Sequence, residues 1–217
     1  MKTRDFHLPG RSPVYAREGM AATSHPLASL AAIETLRAGG TAADAAVAAV
    51  AVLCVVEPAM TGIGGDCFCL VAKPDQPVWG YNGSGRAAAA VTSEKLLALG
   101  MPRKIPATSP HAVTVPGAIE AWEAILKAHG RFGLDRVLLP AIAHAENGFA
   151  IASRVGSDWT VFADKLKPHA ARLQLAHPQA PLLLNGGQQA SIGRDAPQRR
   201  LPQGRVGGSR AGEADAL

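Results

Sequence analysis

The chain has 217 residues, which is enough for one sizeable hydrophobic core or two small ones. Hydrophobic residues make up 47% of it and the net charge is +5, with the arginines scattered along the sequence. This composition is typical of a globular protein and argues against a nucleic-acid-binding surface. A coil is predicted at residues 1–18, which hold charged residues and two prolines. This segment has no apolar stretch typical of a secretory signal, so we expect a cytoplasmic location.

A short strand is predicted at residues 19–23, and a helix follows it. Pro26 suits the first turn of that helix, with Ser24 or His25 as its N-cap. Apolar side chains recur at helical spacing and predict a buried stripe, formed by Leu27, Leu30, Ala31, Ile33 and Leu36. The glycine pair that follows is expected to end the helix.

The segment Ala42–Val56 is apolar apart from Asp44 and holds neither glycine nor proline, so a helix is predicted. Because it is apolar on every side, we expect it to be buried all round. It is shorter than the roughly 20 apolar residues that a membrane span needs. Thr41 is predicted to cap this helix, and Asp44 is interpreted as a charge favoured by the helix dipole and not as a catalytic group.

A glycine-rich turn at residues 61–66 leads into a strand at residues 67–72. This strand is apolar on both faces and is therefore expected to lie in the interior. Together with the alternating segment 78–82 it predicts a hairpin. The turn precedes a strand and not a helix N-terminus, so its glycines are interpreted as sites of close backbone packing and not as a phosphate loop.

Four further helices are predicted, at residues 93–99, 115–128, 134–147 and 157–175. In the second of them, apolar side chains on one face are expected to be buried, namely Ala118, Trp122, Ile125 and Leu126. Glycine is frequent and hydrophobic periodicity is absent from residue 185 to residue 217, so this tail is interpreted as disordered or out of frame. The folded domain is therefore placed at residues 19–184.

The cysteines lie in predicted core segments and form no metal-type C-x-x-C pair. Buried free thiols are therefore predicted for Cys54, Cys67 and Cys69. The histidines in the second half of the chain share no spacing and have no acidic partner at the spacing of a metal site. Neither a metal site nor a cofactor is predicted.

Residues 25–68 carry several motifs in order: an H-x-L-A-S-like helix start, an R-x-G-G-x-A-x-D-A-A run, V-V-x-P and G-I-G-G. In this order they resemble the start of the large subunit of the gamma-glutamyltranspeptidase family. The resemblance continues more loosely through V-T-V-P-G at 113–117 and A-E-N-G-F at 145–149. It implies an α/β (α+β) fold, namely the helix and sheet layers of the large subunit from a four-layer αββα N-terminal-nucleophile hydrolase.

The resemblance also implies a chemistry. In this family a precursor cuts itself and frees a Thr, whose hydroxyl attacks an amide while its α-amine acts as the base. That Thr begins the small subunit in a Thr-Thr-His-like motif, and the glycine pair of the oxyanion hole also lies there. None of the nine threonines of this chain is followed by Thr or His, so no catalytic residue is predicted. The chain is interpreted as the first part of a large subunit that lacks its small-subunit half.

The substrate-binding residues predicted by the resemblance are Arg86 and Ser84. The family's large subunit supplies an Arg that pairs with the substrate α-carboxylate, after the second strand, in an R-E-x-A-P-like motif. Residues 82–88 read N-G-S-G-R-A-A here, without the acidic neighbour or the proline. Arg86 is displaced by two positions, and Ser84 occupies the Arg slot, which leaves the gamma-glutamyl specificity open.

The parent activity implied by the resemblance is hydrolysis of an amide and transfer of a gamma-glutamyl group, with glutathione as the typical substrate. Partners expected for the full-length parent are this small amide substrate and the small-subunit half, with no nucleic acid and no membrane. We expect the chain to be inactive by itself. Two alternatives stay open: a non-catalytic truncated or pseudogene product, and a fragment of a related amidase with another substrate.

Overall fold

The computed structural model describes residues 13–106 and 109–166. Most of the predicted N-terminal coil, the predicted tail at 185–217 and the end of the predicted helix at 157–175 lie outside the described residues. The described helices and strands follow one another as α1 Pro26–Arg37, α2 Ala42–Val56, β1 Cys67–Val71, β2 Trp79–Gly83, α3 Ser93–Ala98, α4 Ala118–His129, α5 Leu134–Val137, α6 Leu139–Asn147 and α7 Ser153–Leu166, with a 3₁₀ turn at Pro110–Ala112.

The helix α2 forms the centre of the fold, and it begins and ends where the sequence predicts. The Thr41 side chain accepts the backbone N–H of Asp44, and the Asp44 carboxyl group accepts the backbone N–H of Thr41, which completes a capping box. The helices α1, α4, α5 and α6 pack against α2. Alanines dominate this contact, and small side chains let neighbouring helix axes approach closely. The buried alanines of α1 and α2 are Ala28, Ala31, Ala32, Ala43, Ala45, Ala48, Ala49 and Ala51.

The expectation that α2 is buried all round is wrong for the described part of the chain. Ala42 and Ala46 are exposed and Val50 is half-buried, whereas Val47 and Val52 have almost no accessible surface. The open positions are four residues apart and therefore share one side of the helix. The hydrophobicity of the sequence showed that α2 can be buried on every side, but the described neighbours cover only part of its circumference.

Asp44 does more than interact with a helix dipole. Its side chain has no exposed surface, and it accepts the backbone N–H groups of Arg131 and Phe132 at 3.0–3.1 Å, just after α4 ends. Burial by itself raises the pKa of this carboxyl group, but the N–H donors of Thr41, Arg131 and Phe132 together outweigh burial and hold the pKa below its ordinary value. The sequence predicted the local role of Asp44 and missed the long-range one.

The predicted hairpin is present as an antiparallel pair of strands, with Cys69 opposite Tyr81. One face of the hairpin packs against the helices, and the Tyr81 hydroxyl donates to the carboxyl group of Glu120 in α4 at 2.7 Å. The other face is open, since Phe68 is 68% exposed and Leu70 is 79% exposed. The expectation of a wholly interior strand is therefore wrong in the described chain, because helices cover only one side of the sheet.

Smaller corrections concern the edges of the elements. Residues 19–23 form no strand, and the Thr23 hydroxyl donates to the His25 carbonyl at the start of α1. Leu30 is 50% exposed, because α1 faces α2 with its alanines. The predicted helix 134–147 divides at Leu138 into α5 and α6, since the second residue of α6 is a proline whose nitrogen cannot donate within the helix.

The predicted stripe of α4 is confirmed, as the four apolar side chains named for it are all buried. The first residues of α7 lie earlier than predicted, at Ser153 and not at residue 157. Within residues 13–106 and 109–166, none of the helices combines the length and the apolar character that crossing a bilayer requires.

Replacing Asp44 by alanine should destabilise the fold strongly. The backbone N–H groups of Arg131 and Phe132 would lose their acceptor, and an unpaired buried donor costs about 1–3 kcal/mol. We expect the free energy of unfolding, measured by urea denaturation, to fall by about 2–5 kcal/mol. Because the folded-state pKa of Asp44 is depressed, its contribution is complete above about pH 4 and is lost as the pH falls further, so Asp44→Ala should also flatten the acid limb of the stability curve.

Glu123→Gln is the matched control for Asp44→Ala. Glu123 is exposed and pairs with Lys127 at 2.8 Å on the surface of α4. We expect this substitution to change the free energy of unfolding by less than about 0.5 kcal/mol. Equal effects of the two substitutions would contradict the role assigned to Asp44.

The open face of the hairpin predicts self-association of the isolated chain, because contiguous exposed apolar surface promotes association. Replacing Phe68 and Leu70 by threonine keeps the strand propensity and removes most of that surface. We expect sedimentation velocity to show a smaller oligomeric fraction for this double variant. Replacing the exposed Leu97 and Leu99, which lie at the end of α3, by glutamine is the control, and an equal decrease there would refute a specific role of the sheet face.

Candidate functional site

Three segments meet where the chain leaves the hairpin: the loop at residues 61–66, the exit of β2 at residues 82–86, and the approach to α4 at residues 114–118. They are far apart in sequence and are joined mainly by backbone hydrogen bonds. We refer to this meeting point as the candidate site. It contains both residues that the sequence predicts to bind substrate.

The loop at residues 61–66 is attached to the start of α4. The Gly65 carbonyl accepts the backbone N–H groups of Gly117 and Ala118, each at 3.1 Å. The Thr114 hydroxyl donates to Asp66 Oδ1 at 3.3 Å. The first N–H groups of a helix have no acceptor within the helix, so the loop satisfies two of them and gains a fixed position.

The exit of β2 is attached to the same approach segment. The backbone N–H of Val115 donates to the Arg86 carbonyl at 2.9 Å, and Ala87 and Thr114 form an isolated antiparallel bridge. The main chain of Arg86 is therefore fixed, while its side chain is exposed. A side chain on a fixed backbone at the edge of a sheet can meet a ligand with little reorganisation.

Glycines make this close approach possible, but they are not the glycines that the sequence pattern singled out. A Cβ added to Gly85 would lie 1.4 Å from the Val115 carbonyl oxygen, and one added to Gly117 would lie 2.2 Å from the Gly83 carbonyl oxygen. In contrast, a Cβ added to Gly62 or Gly64 meets nothing within 4 Å. The interpretation of the loop glycines as sites of close packing is wrong, because Gly62 and Gly64 lie on the open side of the loop.

Ser84 and Arg86 both lie at the exit of β2 and are both exposed. The backbone N–H and the hydroxyl of Ser84 donate to Asn82 Oδ1, at 3.0 and 2.7 Å. Asn82 is the residue that sequence reasoning missed, although Asn followed by Gly and Ser is typical of a turn closed by the Asn side chain. Within the described residues, no carboxyl group forms an ion pair with the Arg86 guanidinium.

A buried polar cluster lies at the other side of the loop, where α1 begins and α2 ends. His25 is 3% exposed and Glu57 is 6% exposed. The Ser24 hydroxyl donates to Glu57 Oε2, and His25 Nδ1 accepts the backbone N–H of Leu27 at 3.2 Å, which confirms His25 as the N-cap of α1. The chain that follows α2 connects this cluster to the candidate site, since the Glu57 carbonyl accepts the backbone N–H groups of Met60 and Thr61.

The cysteines are free, as predicted, and half-buried. Burial raises the pKa of the thiols of Cys54, Cys67 and Cys69, which keeps them protonated and poorly nucleophilic near neutral pH. Among the described residues, no group of three or more His, Cys, Asp or Glu side chains is arranged to hold a metal ion. The polar side chains of the candidate site are Thr61, Asp66, Asn82, Ser84, Arg86 and Thr114, and they lie beside backbone amides.

Replacing Gly117 by alanine should disrupt the candidate site, because the new methyl group would collide with the Gly83 carbonyl. Forcing an extra methyl group into closely packed structure costs about 1–3 kcal/mol. We expect the free energy of unfolding, measured by thermal and urea denaturation, to fall by about that amount. Gly64→Ala adds the same methyl group in open space and should change the free energy of unfolding by less than about 0.5 kcal/mol. Similar losses in both variants would show that the two sites do not differ in packing.

Comparison with known proteins places this geometry in a family. A family model described as gamma-glutamyltranspeptidase matches residues 28–191. The chain is 42% identical over 142 residues to the glutathione hydrolase-like YwrD proenzyme of Bacillus subtilis, covering 64% of this chain and 26% of that protein. It is 38% identical over 141 residues to the oxamate amidohydrolase proenzyme of Klebsiella pneumoniae, covering 62% of this chain and 26% of that protein.

The fold agrees with these matches. The crystal structure of gamma-glutamyltranspeptidase from Helicobacter pylori superimposes with a TM-score of 0.66 and 30% identity, over 78% of this chain and 47% of that chain. The predicted fold class is thereby confirmed as a part of the N-terminal-nucleophile hydrolase fold, with its helix layer and a small sheet. The chain spans about a quarter of the length of the two curated relatives. It belongs to the gamma-glutamyltranspeptidase family.

Proposed function

We propose that this chain supplies the substrate-binding part of an enzyme that hydrolyses an amide or transfers a gamma-glutamyl group, with Arg86 as the partner of the substrate carboxylate. The observation that carries this proposal is the exposed Arg86 guanidinium, which has no acidic partner among the described residues and stands on a backbone fixed by Val115. The planar fork of an arginine binds a carboxylate through two parallel hydrogen bonds.

A gamma-glutamyl amide is the first candidate substrate. Such a molecule carries an α-carboxylate at the distance of a short side chain from its scissile amide, so Arg86 could orient it by the carboxylate alone. The Ser84 hydroxyl donates to Asn82 Oδ1 in this structure, so it would have to turn from Asn82 to donate to that carboxylate, while the Ser84 backbone N–H keeps its bond to Asn82. The glutathione hydrolase-like relative supports this substrate class.

A different small amide is the second candidate, and the sequence around Arg86 favours it. Residues 82–88 lack the acidic neighbour and the proline of the R-E-x-A-P-like motif, and Ser84 stands in the Arg slot. The relative named as an oxamate amidohydrolase supports a branch with another substrate. Oxamate also carries a carboxylate next to its amide, so Arg86 would keep the same role.

We further propose that these 217 residues bind substrate but do not cleave it by themselves. None of the nine threonines is followed by Thr or His, and the resemblance assigns both the nucleophile and the oxyanion hole to the small subunit. The exposed face of the hairpin, which carries Phe68 and Leu70, is a suitable contact surface for the small subunit. The rival proposal is a non-catalytic product, which need not bind an amide substrate at all.

Binding of L-glutamate to the purified chain tests the proposal, with the side-chain Nε–H signals of ¹⁵N-labelled arginine as the readout. We expect glutamate to shift the Arg86 signal, and a chromogenic gamma-glutamyl anilide to bind without turnover. Arg86→Lys keeps the charge but loses the fork, so it should weaken binding by about tenfold or more.

Arg103→Lys is the control, since Arg103 is exposed in a loop outside the candidate site and its replacement should leave the affinity unchanged. Glutamate binding that survives in Arg86→Lys would refute the assigned role of Arg86. Turnover of the anilide by homogeneous protein would refute the claim that catalysis needs another part of the enzyme. A parallel titration with oxamate distinguishes the two substrate classes.

A further inference from the structure

Glu57 occupies a position that the stability of α2 does not explain. It is the C-cap residue of α2 and is 6% exposed. A carboxyl group at the C-terminal end of a helix meets the negative end of the helix dipole, and burial removes it from water. Both effects are unfavourable, and features that break such rules are concentrated at functional sites.

The carboxyl group of Glu57 is held from the start of α1. The Ser24 hydroxyl donates to Glu57 Oε2, and Ser24 directly precedes the N-cap His25. Because His25 Nδ1 accepts a backbone N–H, the proton of the neutral ring lies on Nε2, which is buried without a hydrogen-bond partner among the described residues. Burial lowers the pKa of His25, Glu57 acts in the opposite direction, and His144 of α6 adds to the lowering.

The backbone of Glu57 leads directly to the candidate site. Its carbonyl accepts the backbone N–H groups of Met60 and Thr61, at 2.9 and 3.1 Å, and so forms the turn that begins the loop at residues 61–66. Within that loop, the Gly65 carbonyl accepts the backbone N–H groups of Gly117 and Ala118 at the start of α4. Ser24 and the segment that carries Arg86 are thus linked by hydrogen bonds at both ends of the loop and by the covalent chain between Thr61 and Gly65.

We propose that Glu57 is a positioning residue for the candidate site. Its carboxyl group, held by Ser24, fixes the turn after α2, and this turn fixes the loop at residues 61–66 against α4 and the exit of β2. Glu57 does not contact the substrate, and it acts through the backbone of the loop. The importance of Glu57 for substrate binding rests on the proposed function, whereas the hydrogen bonds described above do not depend on any ligand.

Amide hydrogen exchange of the whole chain, followed residue by residue by NMR, tests this role. Ser24→Ala removes one hydroxyl and leaves the rest of the cluster in place. We expect the amides of Gly117 and Ala118, which bind the Gly65 carbonyl, to exchange about tenfold faster in this variant. The amides of Arg131 and Phe132 bind Asp44 at the opposite end of α2 and should change by less than about twofold.

Ser29→Ala is the matched control. Ser29 lies in the first turn of α1 and its hydroxyl pairs with the Thr23 hydroxyl at 2.8 Å, not with Glu57. This variant should leave exchange at Gly117 unchanged. Equal acceleration at both ends of α2 in Ser24→Ala would mean a general loss of stability and would overturn the proposal, as would unchanged exchange at Gly117 and Ala118.

Glu57→Gln separates the hydrogen bond from the charge. It keeps an oxygen that can accept from Ser24, so exchange at Gly117 should stay within about threefold of the parent chain. Faster exchange of the Gly117 amide in Glu57→Gln than in Ser24→Ala would refute the claim that Glu57 acts through its hydrogen bond with the Ser24 hydroxyl. Because both substitutions are small, the comparison does not depend on a variant that fails to fold.

L-Glutamate binding provides the second measurement. We expect Ser24→Ala to weaken glutamate binding by about threefold, because the site becomes less ordered while Arg86 remains. If the parent chain does not bind glutamate, the proposed function fails and the exchange pattern alone decides the role of Glu57. If the parent chain binds glutamate and exchange at Gly117 does not respond to Ser24→Ala, the positioning role alone fails.

Discussion

The carboxyl group of Asp44 is the contact on which the arrangement of the layers depends. It caps α2 through Thr41, and it also accepts the backbone N–H groups of Arg131 and Phe132, which follow 87 and 88 residues later. One buried side chain therefore joins the start of the central helix to the end of α4. Because α4 also packs against the hairpin, the same contact sets the position of the helix layer relative to the sheet layer.

The two ends of α2 carry carboxyl groups in opposite electrostatic situations. Asp44 lies at the N-terminal end, where the helix dipole favours it and backbone N–H groups satisfy it. Glu57 lies at the C-terminal end, where the dipole opposes it and a single hydroxyl holds it. The first arrangement stabilises the fold, and the second adjoins the loop at residues 61–66, which contacts the start of α4. The carboxyl group that stabilises the fold and the carboxyl group proposed to order the candidate site thus lie at opposite ends of α2.

The bounds of the helices and strands were predicted more accurately than which of their faces are covered by neighbours. The bounds of α2 follow from a segment that is apolar except for Asp44, with Thr41 before it and Glu57 and Pro58 after it, and these are local signals. The exposure of Phe68 could not be predicted, because hydrophobicity shows which faces can be buried and not which faces have a neighbour. The contact between Asp44 and Arg131 joins distant segments and needs the tertiary fold, whereas the turn at Asn82 was readable from the sequence and was overlooked.

The glycines at the candidate site limit how its backbone can change. Gly83, Gly85 and Gly117 leave no room for a methyl group, because the backbone segments there are packed closely against their neighbours. A change in what the site binds cannot readily proceed by moving this backbone. It must instead replace side chains that project from it, and the exposed positions at the exit of β2 include Ser84 and Arg86. Under the role proposed for Arg86, exchange between serine and arginine at these two positions would move the carboxylate partner by two residues while the backbone stays the same.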